Sequence, residues 1–165
     1  MCDPIETLKL AIRRAFPQNP VPEAVAASSL ERVDIDPEVN EFFNDFNSRR
    51  WEAIPDEAIM RNAERLSFFT AQAFCYYLPR FLFFLITCGE SRLDAIELIL
   101  YGLTLRESES AVSSCRVEKA KALSAAQREV ALRSFEALAC KDFASRVMPI
   151  LRELITDWRQ FTLLS

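Results

Sequence analysis

Only two glycines, Gly89 and Gly102, occur in 165 residues, and this scarcity constrains the chain more than any other feature. Hairpins and tight turns depend on residues that tolerate positive φ, glycine first among them. A sheet-rich fold is therefore hard to build here. A helical chain needs glycine mainly just beyond a helix C-terminus, and both glycines fall where helical patterns end, so both are expected as C-terminal caps. The expected fold is all-α: a single domain over residues 1–165, an irregular bundle of about six to seven helices around a buried, proline-kinked central helix.

The apolar periodicity places the helices. Asp3 is an N-cap before Pro4, Glu6 stands at capping-box spacing, and Ile5, Leu8, Ile12 and Phe16 form one stripe. Pro17, Pro20 and Pro22 then forbid helix, so residues 17–36 read as a proline-rich connector. Asp36-Pro37 opens a second helix, with Val39, Phe42, Phe43 and Phe46 at spacings of three, four and seven. A third starts near Pro55 and uses Ala58, Ile59, Ala63 and Leu66. Thr70 caps a fourth that is apolar nearly all round, from Phe74 through Cys88, with Pro79 inside it. Ser91 is expected to cap the fifth, whose inward residues are Leu93, Ile96, Ile99, Leu100 and Leu103. Residues 104–123, rich in serine and mixed charge, read as a loop or weak helix. Ser124 and Gln127 form a capping box for the sixth helix. The seventh runs through Phe143, Val147, Ile150, Leu151, Leu154, Ile155 and Trp158, with Pro149 as a bend or its true first turn.

Composition excludes several functions. Half the residues are apolar and 27% are charged, a globular balance. The net charge of −4 argues against general nucleic-acid binding. The most apolar stretch, Ala71 to Cys88, contains Pro79 and Arg80 at its middle, so it reads as a buried helix and not a membrane span. Cys2, Cys75, Cys88, Cys115 and Cys140 are odd in number and lack C-x-x-C spacing. No secretory leader opens the chain, and a cytoplasmic address with reduced thiols is expected. Cys75, Cys88 and Cys140 are expected in the core.

Histidine is absent. That removes the usual Ser-His and Cys-His nucleophile pairs and the common zinc sites. No phosphate-cradling glycine loop exists. No metal, cofactor or catalytic residue is expected. An enzyme here would have to use carboxylates, Tyr, Lys, Arg or a lone Cys.

Trp51, Leu66, Phe69-Thr70, the run Ala73-Phe74-Cys75-Tyr76-Tyr77-Leu78-Pro79-Arg80-Phe81-Leu82, and Leu123-Ser124 with Gln127 form a recognisable set. Over residues 40–140 the chain resembles an uncharacterised family of small bacterial proteins. That family is marked by a tryptophan upstream of an aromatic Tyr-Leu-Pro segment and by a later Ser/Gln-started helix. The resemblance implies a bacterial origin and that the Trp51 and Tyr77–Phe81 regions belong together. It implies no activity.

Two functional surfaces follow from the residues. Residues 1–60 carry 12 acids against 6 bases, densest between Glu31 and Asp45. Asp34, Asp36, Glu38, Glu41 and Asp45, with Trp51 as an anchor beside Arg49 and Arg50, form a candidate docking surface for a protein with a basic face. A non-enzymatic interaction protein of the inhibitor, immunity or adaptor type is the leading reading. The alternative is a helical-bundle pocket protein or enzyme binding a small anionic ligand, where Arg80 binds and Tyr76, Tyr77 and Gln127 orient. A third is a structural subunit of a larger complex. The bland expectation for Trp51, Arg80 and the tyrosines is core packing, with polar atoms spent on internal hydrogen bonds.

Overall fold

The computed structural model describes residues 3–26, 37–105, 111–141 and 146–164. Among these residues there are eight α-helices and no strand: α1 Pro4–Ala15, α2 Pro37–Phe46, α3 Asp56–Arg61, α4 Ala71–Thr87, α5 Leu93–Leu103, α6 Ala111–Lys121, α7 Ala125–Ala139 and α8 Val147–Leu164. Short 3-10 turns stand at Trp51–Ala53, Arg65–Phe68 and Glu90–Arg92. None of these helices is long and apolar enough to cross a membrane. The all-α expectation holds.

α4 is the centre. It packs against α1, α3, α6, α7 and the Trp51 turn. Phe74, Tyr77, Phe81, Phe84 and Leu85 are buried on successive sides of it. Its N-cap is Thr70, whose hydroxyl accepts from the Ala73 N–H at 3.1 Å. Pro79 removes one backbone donor, yet the helix continues for two more turns. Packing on all sides compensates a loss that would break an isolated helix. Phe42, Phe46 and Phe69 stack around Tyr77 and Phe81 at centroid distances of 4.7–6.1 Å. The α2 stripe is thus the aromatic wedge its spacing predicts. Elsewhere α8 packs on α7 and α5, with the Trp158 indole donating to the Leu103 carbonyl at 2.9 Å.

The other caps form as expected at Asp3, which accepts from Ile5 N, and at Ser124 with Gln127. Glu6 turns to Lys9 at 2.6 Å. Ser91 lies inside a 3-10 turn and caps nothing. The third helix stops at Asn62, whose buried side chain donates to the Ala58 carbonyl at 2.8 Å, the competition that shortens helices. The chain re-enters as the 3-10 turn at Arg65–Phe68. Residues 111–121, read as loop or weak helix, form α6. Its mixed charge hides the anchors Lys119 and Ala120, both buried. Pro149 is the third residue of α8, in the first turn, where its missing donor costs nothing. Phe143 lies outside the described residues. The connector is extended over its described part, 17–26, where Val25 accepts from the Thr70 N–H at 3.0 Å.

The glycines differ from expectation. Neither has positive φ. Gly89 follows the end of α4 with φ −95° and ψ 179°, ordinary extended backbone. Gly102 sits in the last turn of α5, where an added Cβ would lie 2.7 Å from Leu66 Cδ1. Close approach of α5 to the Arg65–Phe68 turn, and not chain reversal, requires it. The left-handed residue among those described is Ser48, φ 59°, just beyond α2.

The two glycines should therefore respond oppositely to alanine. At Gly102, overpacking of about 1–3 kcal/mol against buried Leu66 exceeds a helix-propensity gain of about 1 kcal/mol, so Gly102→Ala is destabilising. At Gly89 an added Cβ meets nothing, and alanine stabilises by about 0.4–1 kcal/mol through the unfolded state. Urea midpoints of the two variants check this; equal midpoints would reject the close-approach account.

Candidate functional site

α1 has three faces, and each does something different. Leu8, Ile12 and the following Phe16 enter the core. Glu6, Lys9 and Arg13, spaced by three and four, line a cleft of about 410 Å³ shared with Trp51, Glu52, Asp56, Arg80, Phe83 and Thr87. Thr7, Leu10, Ala11 and Arg14 line a second concavity, a groove of about 420 Å³ completed by Ala15 and by Ala126, Val130 and Arg133 of α7. Helical periodicity alone produces the division, since residues three and four apart share a face.

The first cleft has an aromatic side and a charged rim. The Trp51 and Phe83 rings lie 5.5 Å apart, and the Arg13 guanidinium sits 5.1 Å from the Phe83 centroid. Three cations meet three carboxylates: Lys9 with Glu6 at 2.6 Å, Arg13 with Glu52 at 2.8 Å, and Arg80 with Asp56. Arg80 also donates from Nε to the Ile54 carbonyl at 2.6 Å, so its head is held from two sides. The buried Trp51 Nε1 has no hydrogen-bond partner.

The groove between α1 and α7 is different in chemistry. Its floor is small and apolar, Ala11, Ala15 and Ala126 beside Val130, and Leu10 is 46% exposed at its edge. Arg14 and Arg133 stand on its two walls with no carboxylate partner among the described residues. Glu129, one turn before Arg133, does not close on it.

The pocket expected from Tyr76, Tyr77, Arg80 and Gln127 does not assemble as one site. The Tyr77 hydroxyl is buried between the carbonyls of Phe46 at 2.6 Å and Arg49 at 3.0 Å, the two residues that flank the left-handed turn at Ser48. Burial pushes its pKa up, so it stays a donor. The Tyr76 hydroxyl, also raised by burial, donates to the Gln18 carbonyl at 2.6 Å and pins the connector. Tyr76 and Gln127 do come together, with Cys75 and the connector prolines, in a cleft of about 170 Å³. Its lining carries no charge, so nothing in it favours an anion. Arg80 faces the α1 cleft instead. Neighbouring positions on α4 send their polar ends to three different elements. The Trp51 turn packs against α4: Trp51 lies against Phe83, Arg80 donates to the Ile54 carbonyl and Tyr77 to the Arg49 carbonyl.

The acidic docking surface needs correction. Asp45 is 8% exposed and accepts from Arg61 at 2.8 Å and from Asn62 at 2.8 Å. Arg61 is held above its usual pKa, first by that hydrogen bond to Asp45. Glu41 bridges Arg65 at 3.0 Å and Arg61 at 3.3 Å, and Glu38 lies 3.7 Å from Arg65. These acids fasten α2 to the α3 region. A charge committed inside the fold is poorly placed to steer a partner. Trp51 is 1% exposed and is no surface anchor. Asp34 and Asp36 lie outside the described residues.

Two features escape the sequence reading. Lys119 is buried, donates to the carbonyls of Leu66 at 3.1 Å and Ser67 at 2.8 Å, and has its pKa lowered by desolvation. It ties α6 to the 3-10 turn. The second is the pair of outer stripes on α1, visible in its spacing once the core stripe is subtracted. Among the described residues no group of three or more His, Cys, Asp or Glu could hold a metal ion. Cys75, Cys88, Cys115 and Cys140 are free thiols; burial pushes Cys75 and Cys88 up to about 11, while Cys140, expected inside, is exposed.

A family model described as a family of unknown function (DUF6714) matches residues 6–162, and the chain belongs to that family. No curated protein and no solved structure matches it.

The Tyr77 clamp is expected to be purely structural. Tyr77→Phe leaves the buried carbonyls around Ser48 without their donor and should cost about 1–3 kcal/mol. Ser48→Gly, which relieves the left-handed backbone, should recover about 1 kcal/mol of it. Denaturation of the single and double variants measures both; a Tyr77→Phe protein of unchanged stability contradicts the assignment.

Proposed function

We propose that this protein is a non-enzymatic protein-interaction protein of the inhibitor, immunity or adaptor kind, working in the bacterial cytoplasm, and that it docks a partner helix in the groove between α1 and α7. One observation carries the reading. The groove combines an open apolar floor with two arginines that have no carboxylate partner among the described residues. Arg61, Arg65 and Arg80, by contrast, are committed to carboxylates within the fold. Leaving Arg14 and Arg133 unspent beside exposed Leu10 gives a surface with affinity to offer.

The chemistry of the partner follows. Three alanines on the floor let large side chains of an incoming helix approach the backbone, the helix-in-groove mode with anchors at i, i+3 or i+4, and i+7. Arg14 and Arg133 select carboxylates beside those anchors, because a guanidinium pairs with carboxylate in a bidentate fork. The partner segment is therefore an acidic amphipathic helix. The basic-partner reading loses support, since Glu41 and Asp45 are neutralised within the fold.

Two synthetic amphipathic helices with the same leucine anchors, one flanked by glutamates and one by lysines, test this by fluorescence anisotropy. The glutamate peptide should bind at least about tenfold more tightly, a difference of about 1.4 kcal/mol, and weaken with salt. The Arg14→Glu, Arg133→Glu double variant should reverse the preference while its stability moves by no more than about 0.5 kcal/mol per site. Equal binding of both peptides, or of neither, overturns the proposal.

A further inference from the structure

The cleft on the other outer face of α1 plays no part in that docking and has its own chemistry. We propose that it binds a small zwitterion with an aromatic or apolar side chain, a molecule of the free amino-acid class. Three observations lead there. The volume of about 410 Å³ lies in the range of small-molecule sites. Trp51 and Phe83, their rings 5.5 Å apart, line one side with aromatic carbon. The rim carries three cations and three carboxylates, already paired with one another.

That balance selects the ligand. A plain anion entering at Arg13 or Arg80 must displace Glu52 or Asp56, which leaves two negative groups side by side and one of them unpaired. A plain cation meets the mirror-image difficulty. A zwitterion inserts into an existing ion pair and restores both halves: its carboxylate takes the guanidinium and its ammonium takes the released carboxylate. The pairs it opens are the exchangeable kind. Arg13 is 50% exposed, Glu6 57% and Asp56 47%, and solvated pairs of this sort contribute little to stability.

Roles divide accordingly. Arg80, 13% exposed and fixed by the Ile54 carbonyl, is the rigid carboxylate anchor. Arg13 is the mobile one. Glu52 and Asp56 receive the ammonium, and the side chain lies along Trp51 and Phe83, where aromatic contact adds to apolar burial. The same face of Arg13 that now covers Phe83 would cover the ligand ring.

Trp51 is also the reporter. In a Trp158→Phe chain it is the sole tryptophan. L-Phenylalanine should change its emission saturably. 3-Phenylpropanoate, which lacks the ammonium, and phenethylamine, which lacks the carboxylate, should each bind at least about tenfold more weakly. Arg13→Gln and Glu52→Gln, both at exposed positions, should each weaken L-phenylalanine by a similar factor. Arg14→Glu, Arg133→Glu in the groove should leave it unchanged, which separates this site from the docking surface. If Trp158→Phe fails to fold, the Trp51 indole N–H resonance of the unaltered chain, assigned by its loss in Trp51→Phe, gives the same reading. Absence of saturation up to about 10 mM overturns the proposal. So does 3-phenylpropanoate binding as tightly as L-phenylalanine, because the site would then select an anion.

Discussion

Everything in this fold depends on burying α4. A helix apolar on almost every side has no face to offer water, so it must be surrounded. α1, α3, α6, α7 and the Trp51 turn do the surrounding. The hydrophobic term behind this is large; a fully buried Phe or Leu contributes about 1.5–3 kcal/mol. It leaves the few polar groups of α4 with a strict requirement, since a buried donor without a partner costs about 1–3 kcal/mol. Tyr76, Tyr77 and Arg80 meet it by donating to carbonyls of irregular backbone: Gln18, then Phe46 and Arg49, then Ile54. These are segments that lack helical partners for their own carbonyls. The central helix thus satisfies itself by organising the connectors around it.

Lys119 and Lys141 repeat the solution from the periphery. Lys119 donates to Leu66 and Ser67, and Lys141 donates to Ile86 and Cys88 at the end of α4. A lysine ammonium carries three donors and no acceptor, so it can cap two carbonyls at once. For Lys119 the desolvation of the charge works against this, and its pKa is lowered. The bonds to two carbonyls hold for the neutral amine as well, which retains donors. In a chain with two glycines, turns and helix ends cannot rely on the left-handed glycine cap. Side-chain donors and one left-handed serine take over that work.

Much of the fold was legible for local reasons. Capping at Asp3, Thr70 and Ser124 and the phenylalanine stripe of α2 depend on residues within a turn or two of each other, and sequence spacing records them. The site was less legible because its geometry is decided between elements. Tyr76, Tyr77 and Arg80 look like one cluster on a helical wheel, yet their long side chains end against three different neighbours. Glu38, Glu41 and Asp45 look like a solvated acidic face because nothing near them in sequence says that Arg61 and Arg65 arrive from α3 and the turn beyond it. Gly102 looks like a cap because the approach of Leu66 spans 36 positions of chain. α6 was hidden by its own composition, in which a buried lysine reads as a surface one.

The two ion-pair systems also show why carboxylates of equal charge have unequal uses. Asp45 is buried, and its two oxygens are taken by Arg61 and Asn62. Removing either partner leaves a desolvated charge, which is strongly destabilising. The pairs lining the α1–α4 cleft face water on at least one side, so opening one exchanges a solvated contact for another at small cost. A group can serve a ligand only if its present partner can be given up. By that criterion Asp45 belongs to the fold, and the carboxylates around Arg13 and Arg80 are available for recognition. Arg14 and Arg133 lie at the far end of the same scale, with no carboxylate to give up among the described residues. The gradient runs across a single helix, α1, from the core stripe at Leu8 to the committed but exchangeable stripe at Lys9 and then to the unspent one at Arg14.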